Sequence, residues 1–200
     1  MHYDFIEIGT SDFDTEIERA REFDRGISID PIIHYLNKLP NKKYVNKVLC
    51  GISDRNTWGK CYYISEENIQ KYNLPWWIRG CNQLFDYHTT AKNIIIEREL
   101  NLDTVFDTVE IPIYSISTLL DMYQVSSINY LKIDTEGHDI TILKNYINKI
   151  QRNSGIIAKQ LLFESNTLSD RLSIDNMIEQ LYSFGYRLIY SNENTLMHHD

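Results

Sequence analysis

Tyr130-Leu131-Lys132-Ile133-Asp134-Thr135-Glu136-Gly137 is a nearly continuous apolar strand that ends abruptly in two acids and a glycine. A buried strand that delivers two carboxylates within three residues is costly unless they are solvated, paired or bound to something. Asp134 could instead simply cap the helix that the spacing predicts over Ile140 to Ile150. Polar ends on other strands argue against so local a reading. Tyr3 to Ile8 runs into Gly9, Gly26 to Asp30 runs into Pro31, and Tyr44 to Ile52 runs into Ser53-Asp54. In an open parallel sheet such ends share one edge, and ligands bind in the crevice just outside it. The pattern therefore predicts a cleft rich in carboxylates.

The rest of the chain fits that frame. Apolar runs alternate with helical spacings, the pattern of a mostly parallel α/β sheet with helices on both faces. Thr15 with Glu18 reads as a capping box, and Ile32, Ile33, Leu36 and Leu39 recur at helical intervals. Lys60 to Ile64 and residues 105–116 read as strands, and Ser117 to Tyr123 as a short helix. Leu161 to Glu164 is a buried strand, and Asp175 to Phe184 a helix stopped by Gly185. Tyr186 to Tyr190 and Thr195 to His198 read as an antiparallel pair at the sheet edge. Residues 65–104 fit no regular unit and suggest a lid or substrate-binding insertion within a single domain over 1–200.

Composition narrows the function. A net charge of −8 over two hundred residues argues against a nucleic-acid binder, which usually carries a basic face, and Lys42, Lys43 and Lys47 form only a short basic patch. Three cysteines without a CxxC pair argue against structural zinc or a disulfide framework and for a reducing compartment. No basic leader or membrane-length apolar run is read, so the chain is expected to be cytoplasmic, without a membrane span. The G-x-G-x-x-G and P-loop patterns are absent, which disfavours NAD, FAD and P-loop nucleotides. Gly9 permits close approach to a ligand, and Asp30, about twenty residues on, stands where an acid meets ribose hydroxyls.

Tyr130 to Asp139, followed by Ile142-Leu143-Lys144, resembles the D-x-E-G-x-E signature of the FkbM-type methyltransferase family. Phe5-Ile6-Glu7-Ile8-Gly9-Thr10 resembles its first S-adenosylmethionine (SAM) binding motif. Asp30-Pro31 resembles its ribose-binding acid and proline, and Leu162-Phe163-Glu164 its next strand. The likeness spans roughly residues 3–190. Three positions depart from the pattern: Glu7 for the commoner Asp, Phe13 for a second glycine, and Asp139 for the last Glu.

The resemblance implies a Rossmann-like class I methyltransferase with a seven-stranded sheet and an antiparallel C-terminal edge. It further implies SAM-dependent methyl transfer to a hydroxyl of a sugar or glycoconjugate. Glu7, Gly9, Thr10 and Ser11 would approach the methionine end of SAM, Asp30 the ribose, and Ser53 and Asp54 the adenine, with Asp134 beside the cofactor. Asp134, Glu136 and His88 would face the acceptor. His88 is the preferred base, because imidazole accepts a proton near neutrality, and His138 is the alternative. Trp77, Arg79, Asn82, His138 and Glu164 are candidate acceptor contacts, since aromatic faces bind sugar rings and Arg binds anions. Asp134, Glu136, Asp139 and Glu164 could converge on Mg²⁺ or Mn²⁺, although a metal-free site is favoured. The rival readings are a methyltransferase of another small-molecule acceptor and a Rossmann-like binding domain that has lost catalysis.

Overall fold

The computed structural model describes all of residues 1–200. The chain runs through β1 (His2–Ile8), α1 (Glu16–Arg19), β2 (Gly26–Asp30), α2 (Ile33–Lys38), β3 (Val45–Leu49), β4 (Gly51–Ser53) and β5 (Thr57–Tyr63). Next come α3 (Glu66–Lys71), a 3-10 turn (Trp76–Gly80), β6 (Gln83–Leu84), α4 (Thr89–Glu97), α5 (Leu102–Val105) and β7 (Asp107–Ser115). It closes with α6 (Ile116–Met122), β8 (Ser127–Ile133), α7 (Asp139–Arg152), β9 (Ala158–Glu164), α8 (Arg171–Ser183), β10 (Tyr186–Ser191) and β11 (Asn194–His199).

Seven strands form one sheet in the order β3-β2-β1-β8-β9-β11-β10. Strands β3, β2, β1, β8 and β9 are parallel, while β11 runs antiparallel to both β9 and β10. This is the Rossmann-like class I methyltransferase order that the motifs predict, with the antiparallel C-terminal edge. Strand succession reverses between β1 and β8, so the crevice for a ligand opens above their carboxyl ends. Helices α6, α7 and α8 cover one face. On α7, Ile140, Leu143, Tyr146, Ile147 and Ile150 recur every three or four residues and are all buried, the stripe a core-facing helix requires. Each such side chain contributes about 1.5–3 kcal/mol by leaving water. On the other face, α1 and α2 seat Ile17, Ala20, Leu36 and Leu39 against Phe5.

Two expectations need correction. The run Tyr44 to Ile52 is not one strand: Cys50 separates β3, in the large sheet, from β4, which starts a second, four-stranded sheet of order β4-β7-β5-β6. The junction itself, Val48 to Ile52, is apolar throughout, so the change of sheet leaves no mark in hydropathy. Residues 65–104 are also more regular than expected. They form α3, the 3-10 turn, β6, α4 and most of α5, and wrap a separate cluster that includes Ile69, Leu74, Ile78, Ala91 and Ile95. Short elements with few apolar positions fall below the length at which periodicity is readable.

The Thr15–Glu18 capping box is absent as well. Thr15 makes no side-chain cap to α1 and its Oγ1 is buried without a partner. The first amide of α1, on Glu16, instead donates to both carboxylate oxygens of Glu7 at 3.1 Å. No helix is long and apolar enough to cross a membrane.

Candidate active site

Two adjoining clefts open at the carboxyl edge of the large sheet. The first is lined by the loop after β1 (Gly9, Thr10, Ser11, Phe13, Asp14), by Asp30 and Pro31 after β2, and by Lys132, Asp134, Thr135 and Glu136 from β8 and its turn. Cys50, Gly51, Ile52, Cys61 and Leu84 close it from the second sheet. The second is lined by Trp76, Trp77, Arg79, His88, Glu136, Glu164 and Asn166, among others. Phe13, Gly80 and Glu136 line both, so the two clefts meet there.

The floor of the first cleft is a close crossing of backbone. Gly9 has φ +82°, and a Cβ there would lie 1.8 Å from the carbonyl oxygen of Asp134. Only glycine permits this crossing and this dihedral. Asp30 is buried, and its two oxygens accept from the amides of Ile32 at 2.7 Å and Ser11 at 2.8 Å. Burial pushes its carboxyl up to about 7, against the pull of those two amides. Ser11 Oγ and Asn82 Oδ1 are buried on the same cleft and pair with no other group of the protein.

Glu7 does not line either cleft. It is fully buried behind the loop, where it accepts from Thr10 Oγ1 at 2.8 Å, the Glu16 amide and Lys132 Nζ at 3.3 Å. Burial drives its carboxyl upward, and Lys132 and the hydrogen bonds oppose this. Lys132 also donates to the Asp14 carbonyl at 2.9 Å. The pair therefore holds both ends of the loop, and the extra methylene of Glu7 over Asp supplies the reach. Sequence reading missed Lys132. Its signal was a lone lysine in an apolar strand.

The turn after β8 carries the carboxylates. Glu136 takes a left-handed backbone (φ 55°), strained for its side chain, and is followed by Gly137 at φ 93°, where glycine is at ease. One carboxylate oxygen of Glu136 lies 3.0 Å from His88 Nε2. His88 Nδ1 accepts from the Ala91 amide and caps α4. These partners assign the ring proton to Nε2, which donates to Glu136.

Glu164 accepts from the Gly137 amide at 3.0 Å and from Asn166 Nδ2 at 2.5 Å. Burial, reinforced by Asp139, Glu136 and Asp134, pushes its carboxyl up to about 9. Asp134 does not cap α7; it lines the first cleft, and burial raises its carboxyl. Oxygens of Asp134, Glu136 and Glu164 lie within 4.8 Å of one another, a donor set that could hold a divalent cation. Asp139 stands apart from it. Fully buried, it accepts from the Thr135 amide and hydroxyl and from the Glu164 amide, tying the turn to β9.

The remaining candidates divide. Trp77 stands in the second cleft, 54% exposed beside the 51% exposed Trp76. Arg79 reaches the same cleft, but its guanidinium pairs with Asp12 at 2.7 Å. Asn82 and His138 lie on the first cleft and not the second. His138 Nε2 sits 2.9 Å from Ser53 Oγ, and burial lowers its pKa. Ser53 is thus engaged behind the lining, and Asp54 is exposed outside it. The wall nearest them is the preceding apolar stretch Cys50-Gly51-Ile52, which lacks the polar mark that the search for strand-end acids relied on.

A family model described as the methyltransferase FkbM domain matches residues 7–188. No curated protein and no solved structure matches the chain. The match takes in every strand from the end of β1 to the middle of β10, the strand order, the glycine crossing and the acidic turn. The chain belongs to the FkbM methyltransferase domain family.

Proposed function

We propose that this methyltransferase uses SAM to methylate a hydroxyl of an uncharged sugar or glycoconjugate, with Glu136 as the base and His88 as the group that orients it. The observation that carries the reading is the meeting of the two clefts at Glu136, whose carboxylate is held by a buried histidine.

The first cleft suits SAM on its own evidence. Ser11 Oγ and Asn82 Oδ1 are unpartnered there, and Gly9 leaves the floor open to a close approach. Asp30 would hold the ribose, since each of its oxygens keeps a second lone pair for a hydroxyl. Gly9, Thr10 and Ser11 would lie along the methionine part, and Ile52, Cys50, Cys61 and Leu84 would form an apolar slot for adenine. When bound, SAM supplies an electrophilic methyl group.

The chain's own residues then align the acceptor and receive its proton. His88 is a poor base in this arrangement, because Nδ1 already accepts an amide and Nε2 already carries the proton. Glu164, whose carboxyl is pushed upward by burial and by the neighbouring acids, suits a hydrogen-bonding role toward the acceptor. Glu136 is left to take the hydroxyl proton as the oxygen is methylated. The exposed faces of Trp76 and Trp77 fit a sugar ring. With Arg79 engaged by Asp12, the second cleft offers no free cation for an anionic acceptor.

His88 Nε2 already occupies one Glu136 oxygen, and the Gly137 amide and Asn166 Nδ2 occupy the two Glu164 oxygens, so the metal-free reading is retained. Calorimetry with S-adenosylhomocysteine (SAH) and transfer of labelled methyl onto a glycan panel test the proposal. Glu136→Gln should keep SAH affinity and lower transfer by roughly 10²–10⁴-fold, and EDTA should leave transfer unchanged. Full activity in Glu136→Gln would remove the base assignment, and failure of the wild type to bind SAH would remove the cofactor.

A further inference from the structure

Arg79 is enclosed on several sides. Its Nη1 donates to Asp12 Oδ1 at 2.7 Å, and the guanidinium lies over two rings, with centroids 4.7 Å away for Phe13 and 4.9 Å for Trp76. Its own carbonyl accepts from Tyr35 Oη at 2.8 Å. Asp12 is nearly buried, and Lys38 Nζ donates to its second oxygen at 2.9 Å. Asp12 and Phe13 belong to the loop of the first cleft, whereas Trp76 and Arg79 belong to the turn that walls the second. At Gly80 an added Cβ would come within 3.3 Å of the Phe13 ring and 3.9 Å of a Glu136 oxygen. The absence of a side chain there lets the loop, the turn and the candidate base converge.

We infer that Arg79 is a positioning residue. It ties the loop of residues 9–14 to the Trp76–Gly80 turn through Asp12 and the Phe13–Trp76 stack, so that the cofactor side and the acceptor side are shaped together. A planar guanidinium suits this task because it stacks and hydrogen-bonds at once, whereas an ammonium does only the second well. The inference also gives Phe13 a purpose. A glycine at that position would leave the guanidinium with one ring in place of two, and the loop tied to the turn by Asp12 alone. It rests on the reading of the first cleft as the SAM site only where SAH affinity is the readout.

The test compares the full chain with Arg79→Ala, Arg79→Lys, Asp12→Asn and the double variant Arg79→Ala/Asp12→Asn. Two readouts are taken: amide hydrogen exchange without ligand, and SAH affinity by calorimetry. In Arg79→Ala and Asp12→Asn, residues 10–14 should exchange roughly tenfold faster while β1 and β8 keep their protection, and the SAH Kd should rise roughly tenfold. The double variant should fall short of the sum of the two, because both changes weaken the same Arg79–Asp12 link. Arg79→Lys should recover part of the loss. Unchanged loop exchange in Arg79→Ala would overturn the inference, as would additive effects or loss of protection throughout β1 and β8. Failure of the wild type to bind SAH would instead count against the cofactor reading, and the exchange comparison would still decide the role of Arg79.

Discussion

At the scale of single residues, the site depends on positions where one atom more or less decides the outcome. Gly9 is the clearest. A methyl group there would overlap the Asp134 carbonyl at 1.8 Å, and the dihedral of +82° adds strain for any L side chain. Asp134 and Gly9 are the last points at which β8 and β1 run side by side, since the Asp134 amide donates to the Ile8 carbonyl at 2.9 Å. Gly9→Ala must therefore push the two strand ends apart at the floor of the cleft. The expected cost is about 2–4 kcal/mol in chemical denaturation, from overpacking together with an unfavourable dihedral, accompanied by loss of SAH binding. A variant of wild-type stability would show that the crossing relaxes freely.

At the scale of elements, α4 shows how a structural cap and a functional contact share one side chain. His88 caps α4 through Nδ1 and holds Glu136 through Nε2. Asn reproduces the first reach and not the second. His88→Asn should thus melt close to the wild type, while His88→Ala should lose about 1 kcal/mol with the cap. Both should lower methyl transfer, since neither orients Glu136. Equal melting of the two variants would refute the cap, and full transfer in His88→Asn would refute the orienting role.

The same elements show what the sequence made legible. β8 and α7 were readable because long apolar runs and a three-to-four spacing survive without tertiary context. Acids at strand ends marked Asp30, Asp134 and Glu136. The second sheet was not readable, because Cys50 turns the chain from β3 to β4 inside one apolar run. The partners of His88 and Arg79 were not readable either, since the Glu136, Ala91 and Asp12 contacts are set by packing between segments and leave no local pattern. Histidine and arginine looked like a free base and a free anion receptor because sequence shows the functional group and hides its partners.

At the scale of the whole molecule, the cleft gathers acids whose burial opposes ionisation, and this should govern how stability varies with pH. Burial raises the carboxyls of Asp30 and Asp139 to about 7 and that of Glu164 to about 9. In the unfolded chain, acids of these types titrate near 4. Between about pH 4 and those raised values the folded chain binds protons that the unfolded chain has released, so stability falls as pH rises. The contribution of each acid is fully present below its unfolded value and is lost as pH climbs through its folded one. His138, with a lowered pKa, works in the opposite sense, since its stabilisation is present above the unfolded histidine value and lost as pH falls. Within that range it is one group set against these three and against Glu7 and Asp134, whose carboxyls burial also raises. Thermal unfolding without ligand, at constant ionic strength, should therefore show Tm declining from about pH 5 to about pH 9. Asp139→Asn removes one of these titrations and should flatten the lower part of that decline. A Tm that stays level or rises across the range would mean that the acidic turn is ionised in the folded protein. In that case Glu164 would face the acceptor as a carboxylate that accepts hydrogen bonds and does not donate one.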